Sequence, residues 1–469
     1  MDIVLVQPPG WNVSSPPYNI ALLKSILRNE YYDVLCFDMN AEMYDLVDDD
    51  FKEKGWSGTS LGNCWLDRGF VLSLIETYKS FINDFISRII NVNPDVIGFT
   101  VIHRTAIFTI EMARIIKEKY PDKKIILGGP NGYELLGGFD LIKESAVDAV
   151  CLGEAELCLG NLLNIIKEKG AIEFCNGFVY RDRQNQIINC GSPVIVKNLD
   201  FIPFADFSDF KVERYKVLPI LTSKGCIYNC SFCSESICMG GFRSRSAYNI
   251  YSEIAYQLNK YPYIEEFHFC DSLINGNIKM LDELCDLIID KAFPIRWSGQ
   301  AYARKEMTKD FLIKLKKSGC QSLSYGVESG SDRILRLMNK KFTAGLAEEI
   351  IRSTHEAGIE SVFNIIIGFP GETDDDFRDT EDFLKRNSKF SHNINLNCLC
   401  VAAGSDLDRN KEKWGIREDT SGFMWKSVDG KNTYEERLHR LEIYKTIIKD
   451  KARSDVRDAE LFTEPKGGR

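Results

Sequence analysis

Short apolar runs alternate with amphipathic stretches through the first third of the chain. The apolar runs predict strands at Ile3–Val6, Val34–Phe37, Asp95–Thr100, Lys124–Leu127 and Ala149–Leu152. Apolar positions at helical spacing predict helices over 19–29, near 71–90 and over 105–119. A β-α-β-α order indicates a parallel sheet covered by helices on both faces. We therefore expect an α/β fold that begins with a doubly wound, Rossmann-like domain.

A second alternating series follows in the middle and later parts of the chain. Strands are predicted at Ile220–Ser223, Glu266–Cys270, Ile295–Ser298, Ser322–Gly326, Val362–Ile367 and Asn393–Leu399, with helices between them over 247–260, 278–291, 308–317, 344–357 and 373–386. Residues 171–211 are interpreted as a connector that contains a hairpin near 178–188, and an amphipathic helix is predicted over 434–453. The predicted domains are therefore 1–170, the connector 171–211, 212–404, and a helical extension 405–469 whose last six residues are disordered.

Composition narrows the class of protein. The chain has 469 residues, of which 44% are hydrophobic and 27% are charged, so it has the composition of a globular protein. Its formal net charge of −9 argues against a protein that coats nucleic acid or anionic membrane. No apolar run reaches the roughly 18 residues of a membrane helix, and no signal peptide is recognisable. We expect a cytoplasmic protein whose 15 cysteines are mostly reduced.

Loops follow four of the first five predicted strands at their carboxyl ends, and three of these loops contain glycine or proline. These loops are Gln7–Gly10, Thr100–Arg104, Gly128–Gly132 and Gly153–Glu156. Ligands of parallel sheets bind outside the carboxyl ends of the strands, and glycine lets the backbone approach them closely. Each loop alone is more often a tight turn, but the four together favour a ligand site. The candidate residues are Pro8, Thr100, Gly128, Gly129, Gly153 and Glu154.

Three cysteines stand close together directly after the predicted strand at Ile220–Ser223. Cys226, Cys230 and Cys233 have the spacing C-x3-C-x2-C, and three thiolates on one short loop can hold a [4Fe-4S] cluster. Three protein ligands leave one iron open for another molecule. A structural zinc site with Cys238 as fourth ligand and a set of unligated buried thiols remain alternatives.

This motif, with Phe232 at its aromatic position, resembles the defining motif of the radical S-adenosylmethionine (SAM) superfamily. The resemblance implies a partial (β/α)6 barrel of the TIM type that binds a [4Fe-4S] cluster and SAM. It implies that Glu328, Ser329 and Gly368, together with Phe232, contact the cofactor. Arg304 is a further candidate that binds a carboxylate or simply forms a surface ion pair, and Glu328 is alternatively a helix-capping carboxylate. Asp271 is a weaker candidate for a ligand contact.

Residues 1–170 resemble the cobalamin-binding domain found at the N-terminus of many radical SAM enzymes. The matching pieces include Val6–Pro9, Ile97–Thr100, Leu127–Pro130 and Gly153–Glu156. The Asp-x-His-x-x-Gly loop that supplies a cobalt ligand in many cobalamin proteins does not occur in this sequence. The resemblance therefore implies cobalamin without a histidine ligand from this domain, and His103 is a poor candidate for one.

Together the two resemblances imply a cobalamin-dependent radical SAM methyltransferase of anaerobic metabolism that acts on an unactivated carbon. The implied partners are a small-molecule or peptide substrate and a flavodoxin- or ferredoxin-type electron donor, with no nucleic acid and no membrane. A cobalamin-associated cyclase or rearrangement enzyme without methyl transfer and a non-catalytic iron–sulfur redox sensor remain alternatives. A methylthiotransferase is disfavoured because Cys36, Cys64, Cys151 and Cys158 are scattered along the sequence.

Overall fold

A computed structural model of the chain describes residues 1–56, 64–132, 138–191 and 195–448. The chain divides into two compact units, the first over Met1–Lys216 and the second beginning at Val217. Among the described residues, none of the helices combines the length and the apolar character that crossing a bilayer requires.

The first unit is built around a seven-stranded sheet. Its strands are β1 (Ile3–Gln7), β2 (Val34–Asp38), β3 (Val96–Thr100), β4 (Lys124–Gly128), β5 (Ala149–Cys151), β6 (Phe178–Arg181) and β7 (Ile187–Asn189). Its helices are α1 (Tyr18–Asn29), α2 (Met39–Leu46), α3 (Asp49–Trp56), α4 (Arg68–Thr77), α5 (Lys79–Asn91), α6 (Ala106–Lys119), α7 (Gly138–Leu141) and α8 (Leu159–Lys169). All five residues of both β1 and β3 are buried, as strands covered on both faces must be.

The strand order of this sheet is β2-β1-β3-β4-β5-β6-β7, and the first five strands are parallel. This is the flavodoxin-like order, in which the chain direction across the sheet reverses between β1 and β3. A crevice forms at such a switch point, outside the carboxyl ends of the two strands. The loops that follow β1 and β3 therefore flank the place where sheets of this strand order bind their ligands.

The second unit contains six parallel strands arranged side by side. Its large-sheet strands are β8 (Val217–Ile220), β11 (Glu266–Phe269), β12 (Arg296–Ala301), β13 (Cys320–Glu328), β14 (Glu360–Ile367) and β15 (Asn393–Cys398), and a small ribbon is formed by β9 (Ser223–Lys224) and β10 (Arg243–Ser244). Its helices are α9 (Glu235–Cys238), α10 (Ala247–Lys260), α11 (Ile278–Asp290), α12 (Lys309–Lys317), α13 (Asp332–Leu337), α14 (Ala344–Glu356), α15 (Asp374–Asn387), α16 (Asp406–Arg409) and α17 (Tyr434–Ile448).

The large sheet runs β15-β14-β13-β12-β11-β8, so each strand lies beside its predecessor in the series. The helices that connect these strands begin at side-chain caps, which satisfy backbone N–H groups at the helix start. The capping residues are Ser246, Asn277, Thr308, Thr343 and Thr373. Repeated strand–cap–helix units of this kind produce the parallel sheet of a partial barrel, with the strand ends that carry function on one edge.

The predicted α/β fold and its two strand series are confirmed, with four local differences. The strand predicted at Ile220–Ser223 lies earlier, at Val217–Ile220, as β8. The helix predicted near 71–90 is two helices, α4 and α5, which meet at Tyr78. The hairpin predicted within the connector, β6 and β7, pairs antiparallel with β5 and extends the first sheet. The helix predicted over 434–453 is present to Ile448, and its remainder and the segment 464–469 lie outside the described residues. The predicted domain boundaries stay a prediction.

Candidate metal centre and cofactor site

The loop that carries the three cysteines is closed at its base by the ribbon of β9 and β10. Arg243 pairs with Lys224 and Ser244 with Ser223 in antiparallel register. Gly225 has φ of 73°, and a Cβ there would lie 2.5 Å from the carbonyl oxygen of Gly241. Only glycine fits such an approach, so the chain leaves and re-enters the loop through a narrow neck.

A buried carboxylate at the end of β11 holds the start of this loop. Asp271 is 2% exposed and accepts hydrogen bonds from the backbone N–H groups of Thr222 (2.6 Å) and Ser223 (2.9 Å) and from the Thr222 hydroxyl. Burial raises the pKa of Asp271 to about 6, and these donors oppose that rise. Asp271 therefore positions the start of the cysteine loop, and the ligand contact that the sequence suggested stays a prediction.

Cys226, Cys230 and Cys233 are partly buried and unpaired by disulfides. The backbone N–H groups of Tyr228 and Glu235 each lie 3.4 Å from a cysteine sulfur, that of Cys226 and of Cys233 respectively. Burial raises the pKa of all three thiols, to about 12 at Cys233. Such thiols become thiolates when a metal binds, and N–H donors around them stabilise the resulting charge.

In the described part of the chain, no three His, Cys, Asp or Glu side chains are placed to hold a single metal ion. A four-iron cluster spreads its ligands over separate iron atoms, so its cysteines need not meet at one point. Three cysteines on one tethered loop, with N–H donors to two of the sulfurs, fit the chemistry of such a cluster.

A buried lysine lies beside the cysteine loop. The Nζ of Lys340 lies 5.1 Å from the ring centroid of Tyr302, 5.6 Å from that of Phe232 and 5.7 Å from that of Phe342. Tyr302 in turn stacks on Tyr228, with ring centroids 3.7 Å apart. The charge of Lys340 also lowers the pKa of Cys226 and Cys230 against the larger effect of burial. The loop therefore has one wall of aromatic rings around a single ammonium group.

The ammonium group of Lys340 is paired with the carboxylate at the end of β13. Its Nζ donates to the Gly326 carbonyl at 2.8 Å and lies 3.2 Å from Glu328 Oε1, and both charged side chains are at most 10% exposed. Glu328 has φ of 73°, at a register shift between β13 and β14. Strained backbone of this kind at a non-glycine residue is concentrated at functional sites. It aims Glu328 at Lys340 and the wall of the cysteine loop.

The other side of the cysteine loop is fixed to the C-terminal end of α13 and to α16. The Ser231 N–H donates to the Met338 carbonyl at 3.0 Å, and the Leu407 N–H donates to the Ser231 carbonyl at 3.0 Å. Phe232 packs against a buried cluster that contains Met338, Leu407 and Trp425. Phe232 therefore anchors the loop in addition to facing Lys340.

In the first unit, two candidate residues meet where β3 and β4 end. Gly129 has φ of 97°, and a Cβ there would lie 2.8 Å from Thr100 Oγ1. Thr100 Oγ1 accepts a hydrogen bond of 2.6 Å from Asn19 at the start of α1. Backbone from two strand ends and a helix start is thus packed tightly beside the switch point.

The remaining candidates of the first unit surround the same edge. Pro8 is buried in the loop after β1, where Asn40 Oδ1 accepts from the Gly10 N–H at 3.1 Å. Gly128 ends β4, and Glu154, next to Gly153, accepts from the Val196 N–H at 3.1 Å. Glu154 therefore fixes a distant chain segment, a role that the sequence did not suggest. His103 is exposed in the turn after β3.

Two cysteines that looked scattered along the sequence are neighbours in the structure. The Sγ atoms of Cys151 and Cys158 are 4.0 Å apart, and Cys175 Sγ lies 3.8 Å from the Cys158 carbonyl oxygen. Cys151 and Cys158 meet because the turn after β5 leads directly into α8.

Comparison with known proteins identifies the second unit. Residues 220–384 match the radical SAM superfamily, and this range holds the cysteine loop, Lys340 and Glu328. The chain carries a radical SAM domain. The predicted radical SAM core, with its partial barrel, is thereby confirmed.

Relatives match well beyond the radical SAM domain. An uncharacterized methyltransferase of Pyrococcus horikoshii is 25% identical over 82% of this chain and 78% of its own length. The anaerobic magnesium-protoporphyrin IX monomethyl ester cyclase of Rubrivivax gelatinosus is 25% identical over 62% of this chain, which spans 54% of that cyclase. The radical SAM methyltransferase TsrM of Kitasatospora setae, solved with cobalamin and a [4Fe-4S] cluster, has the same fold (TM-score 0.69, 17% identity, 93% of this chain and 81% of TsrM).

Three other candidates of the radical SAM domain are held by protein groups. Ser329 is 1% exposed, and its Oγ accepts from the Ser331 N–H at 3.1 Å and lies 3.2 Å from Thr380 Oγ1. Arg304 donates to the Asn275 carbonyl at 2.7 Å and pairs with Glu306 at 3.1 Å. These contacts give Ser329 and Arg304 structural roles, and their contact with a cofactor stays a prediction.

The third, Gly368, is covered by Arg437 of the C-terminal helix α17. Gly368 has φ of 79°, and a Cβ there would lie 2.4 Å from Arg437 Cγ. Arg437 is completely buried and donates to the carbonyls of Phe423 (2.7 Å) and Trp425 (2.9 Å), while Asn432 donates to the Gly368 carbonyl at 3.0 Å. The C-terminal region thus packs on the end of β14. Arg437 belongs to α17 itself, and Trp425 precedes that helix.

Proposed function

We propose that the chain is a cobalamin-dependent radical SAM enzyme that methylates an unactivated carbon of a metabolite, natural product or peptide. The observation that carries the proposal is the tethered loop of Cys226, Cys230 and Cys233 at the end of β8, in one chain with a sheet of flavodoxin-like strand order. The first feature supports radical SAM chemistry and the second supports a corrinoid site.

Cys226, Cys230 and Cys233 would hold the cluster. When bound, a [4Fe-4S] cluster supplies the electron that cleaves SAM into methionine and a 5′-deoxyadenosyl radical. Asp271 and the neck at Gly225 keep the three cysteines in place, and the stacked pair Tyr228–Tyr302 shields the loop from water. Shielding matters because water and small hydrogen donors around a reactive intermediate promote side reactions.

Glu328 and Lys340 are the charged groups best placed to bind SAM. A carboxylate binds hydroxyl and ammonium groups, and an ammonium binds a carboxylate, and SAM carries all three. Their mutual pairing at 3.2 Å fixes both side chains before SAM arrives. Preorganised charges avoid a reorganisation cost when the cofactor binds.

The edge of the first sheet would hold cobalamin, which supplies the transferable methyl group when it is bound. Gly128 and Gly129 are partly exposed at the end of β4, and their lack of side chains leaves backbone that a large flat ligand can approach. Glu154 and Asn40 stabilise the two flanking loops. Nothing in the geometry requires a histidine ligand from this unit.

Methyl transfer is preferred to cyclisation because the relative named a methyltransferase matches 82% of the chain, against 62% for the cyclase. The cyclase remains the second candidate, since its identity of 25% is the same. We further propose a flavodoxin- or ferredoxin-type electron donor and a reducing, anaerobic cytoplasmic setting, in which exposed iron–sulfur chemistry survives.

The test is an anaerobic assay of the reconstituted full chain with methyl-labelled SAM, hydroxocobalamin and a strong reductant. We expect iron near four per chain, 5′-deoxyadenosine, and label recovered on the corrinoid. The triple variant Cys226→Ala/Cys230→Ala/Cys233→Ala should lose iron and 5′-deoxyadenosine, and the matched control Cys238→Ala should keep both.

Each outcome bears on a different part of the proposal. If 5′-deoxyadenosine forms without any methyl transfer, the methyltransferase is wrong and the cyclase or rearrangement enzyme is favoured. Iron without SAM cleavage favours the redox sensor. Iron that persists in the triple variant contradicts the cluster ligands themselves.

A further inference from the structure

One face of the large sheet in the second unit is covered by helices, and the other is not buried. Along β14 and β15, buried residues alternate with partly exposed ones, as expected when side chains point to opposite faces. The buried residues contact helices: Phe363 packs edge-on against Phe383 of α15, and the Tyr325 hydroxyl lies 2.9 Å from Thr354 Oγ1 of α14. The partly exposed residues therefore line the opposite, inner face.

The register of the sheet brings polar side chains of four neighbouring strands together on this inner face. Gln300 of β12 pairs with Ser324 of β13, and Asn364 of β14 pairs with Asn395 of β15. Asn393 and Asn397 lie two residues before and after Asn395 on the same face. Neighbouring strands are about 4.8 Å apart and alternate residues about 6.6 Å apart, so these six side chains form one patch.

Several hydrogen-bonding groups of this polar patch are still available. Asn395 donates to Asn364 Oδ1 at 2.9 Å, and Asn393 donates to Asn395 Oδ1 at 3.1 Å, which orients the amides in a row. Within the described ranges, the structure gives no protein partner to the Asn364 amide nitrogen or to the side chains of Gln300 and Ser324. Amides and hydroxyls that are positioned but unsatisfied are suited to binding a ligand that both donates and accepts.

The patch carries no charge. The charged residues of the inner face stand at the opposite end of the strands, where Glu266 pairs with Arg296. At the carboxyl end, the ammonium group of Lys340 is neutralised by Glu328. Ile366, beside Asn397, packs against the same buried cluster as Phe232, so the patch is continuous with the cysteine loop.

We propose that this patch binds an uncharged, hydrogen-bond-rich part of the substrate, such as a polyol or an amide, and holds it within reach of the cysteine loop. The inference rests on the proposed function and names the substrate class for that same site. An anionic group would meet no cation on the patch. A flat apolar ring system would leave the row of amides without partners.

The test measures binding directly, by saturation-transfer difference NMR on the anaerobically reconstituted full chain. The probes are myo-inositol for a polyol, N-acetylglycinamide for an amide, citrate for an anion and geraniol for an apolar ligand. We expect the largest effect from one of the two neutral polar probes. That effect should fall at least threefold in Asn395→Leu and in the isosteric Asn395→Asp. It should not change in the control Asn91→Leu, at the exposed end of α5.

The outcomes separate this inference from the proposed function. A response to myo-inositol alone assigns a polyol, and a response to N-acetylglycinamide alone assigns an amide. The inference is overturned by stronger binding of citrate or geraniol, by no binding of either neutral probe, or by Asn395 variants that bind the neutral probe as strongly as the wild type. Substrate-independent formation of 5′-deoxyadenosine is assayed on the same samples, so its loss with intact probe binding contradicts only the proposed function.

Discussion

Removing Lys340 should destabilise the second unit because it leaves Glu328 buried without its partner. The two side chains are 4% and 10% exposed and lie 3.2 Å apart. Breaking such a pair from one side typically costs about 3–5 kcal/mol, since the remaining charge is desolvated and uncompensated. The loss of Lys340 from among three aromatic rings adds about 1 kcal/mol. We therefore expect Lys340→Met to lower the free energy of unfolding by about 4–6 kcal/mol.

The double variant Lys340→Met/Glu328→Gln tests whether the pairing is the cause. It removes both charges, so it should lose clearly less than the sum of the two single variants, with a coupling energy of about 2 kcal/mol or more. The assay is urea unfolding of the metal-free chain, with hydrogen exchange of β13 peptides to assign the change to the second unit. Losses that add within about 0.5 kcal/mol would show that Lys340 and Glu328 act independently and would refute the argument.

Three further predictions each concern the substitution of one residue. Asp271→Ala leaves three hydrogen-bond donors unsatisfied, so it should lower the free energy of unfolding in urea by about 2–4 kcal/mol. It should also lower the iron content of the reconstituted chain, and an unchanged iron content would contradict this. Gly129→Ala should lower the free energy of unfolding in urea by at least about 2 kcal/mol. The control Gly170→Ala, with φ of 66° and open space around it, should lower it by about 1 kcal/mol. Burial raises the pKa of Asp38 to about 6 from an ordinary value near 4, so the folded state holds the proton more tightly. Wild-type stability should therefore fall relative to Asp38→Asn by about 2 kcal/mol as pH rises from 4 to 6, and equal pH slopes would contradict this.

The strands of both units were predictable because a buried parallel strand has a simple pattern of residues in the sequence. Runs such as Ile3–Val6 and Lys124–Leu127 are short, mostly apolar and followed by glycine, proline or a polar residue. Their connections and order follow from the same alternation. The cysteine triplet was equally visible, since its ligands are local and its spacing is specific.

The partners of the triplet were not predictable, because they come from distant parts of the chain. Lys340 follows a short helix in a polar segment, and nothing in its neighbourhood distinguishes it from an exposed lysine. Its burial among Tyr302, Phe232 and Phe342 depends on how three loops meet. Arg304 and Ser329 show the reverse case, in which residues suited to a ligand by type and position are occupied by protein partners.

The polar patch explains why strand prediction and site prediction succeed to different degrees. Alternation alone shows that Asn393, Asn395 and Asn397 share a face, because the side-chain period of a strand is two. It does not show that Asn364 stands opposite Asn395, since register depends on the loops and helices between β14 and β15. A shift of one residue would place Ile365 there instead and turn a polar surface into an apolar one. The substrate class therefore depends on register, and a variant that changes the register should change probe preference even with all four asparagines retained.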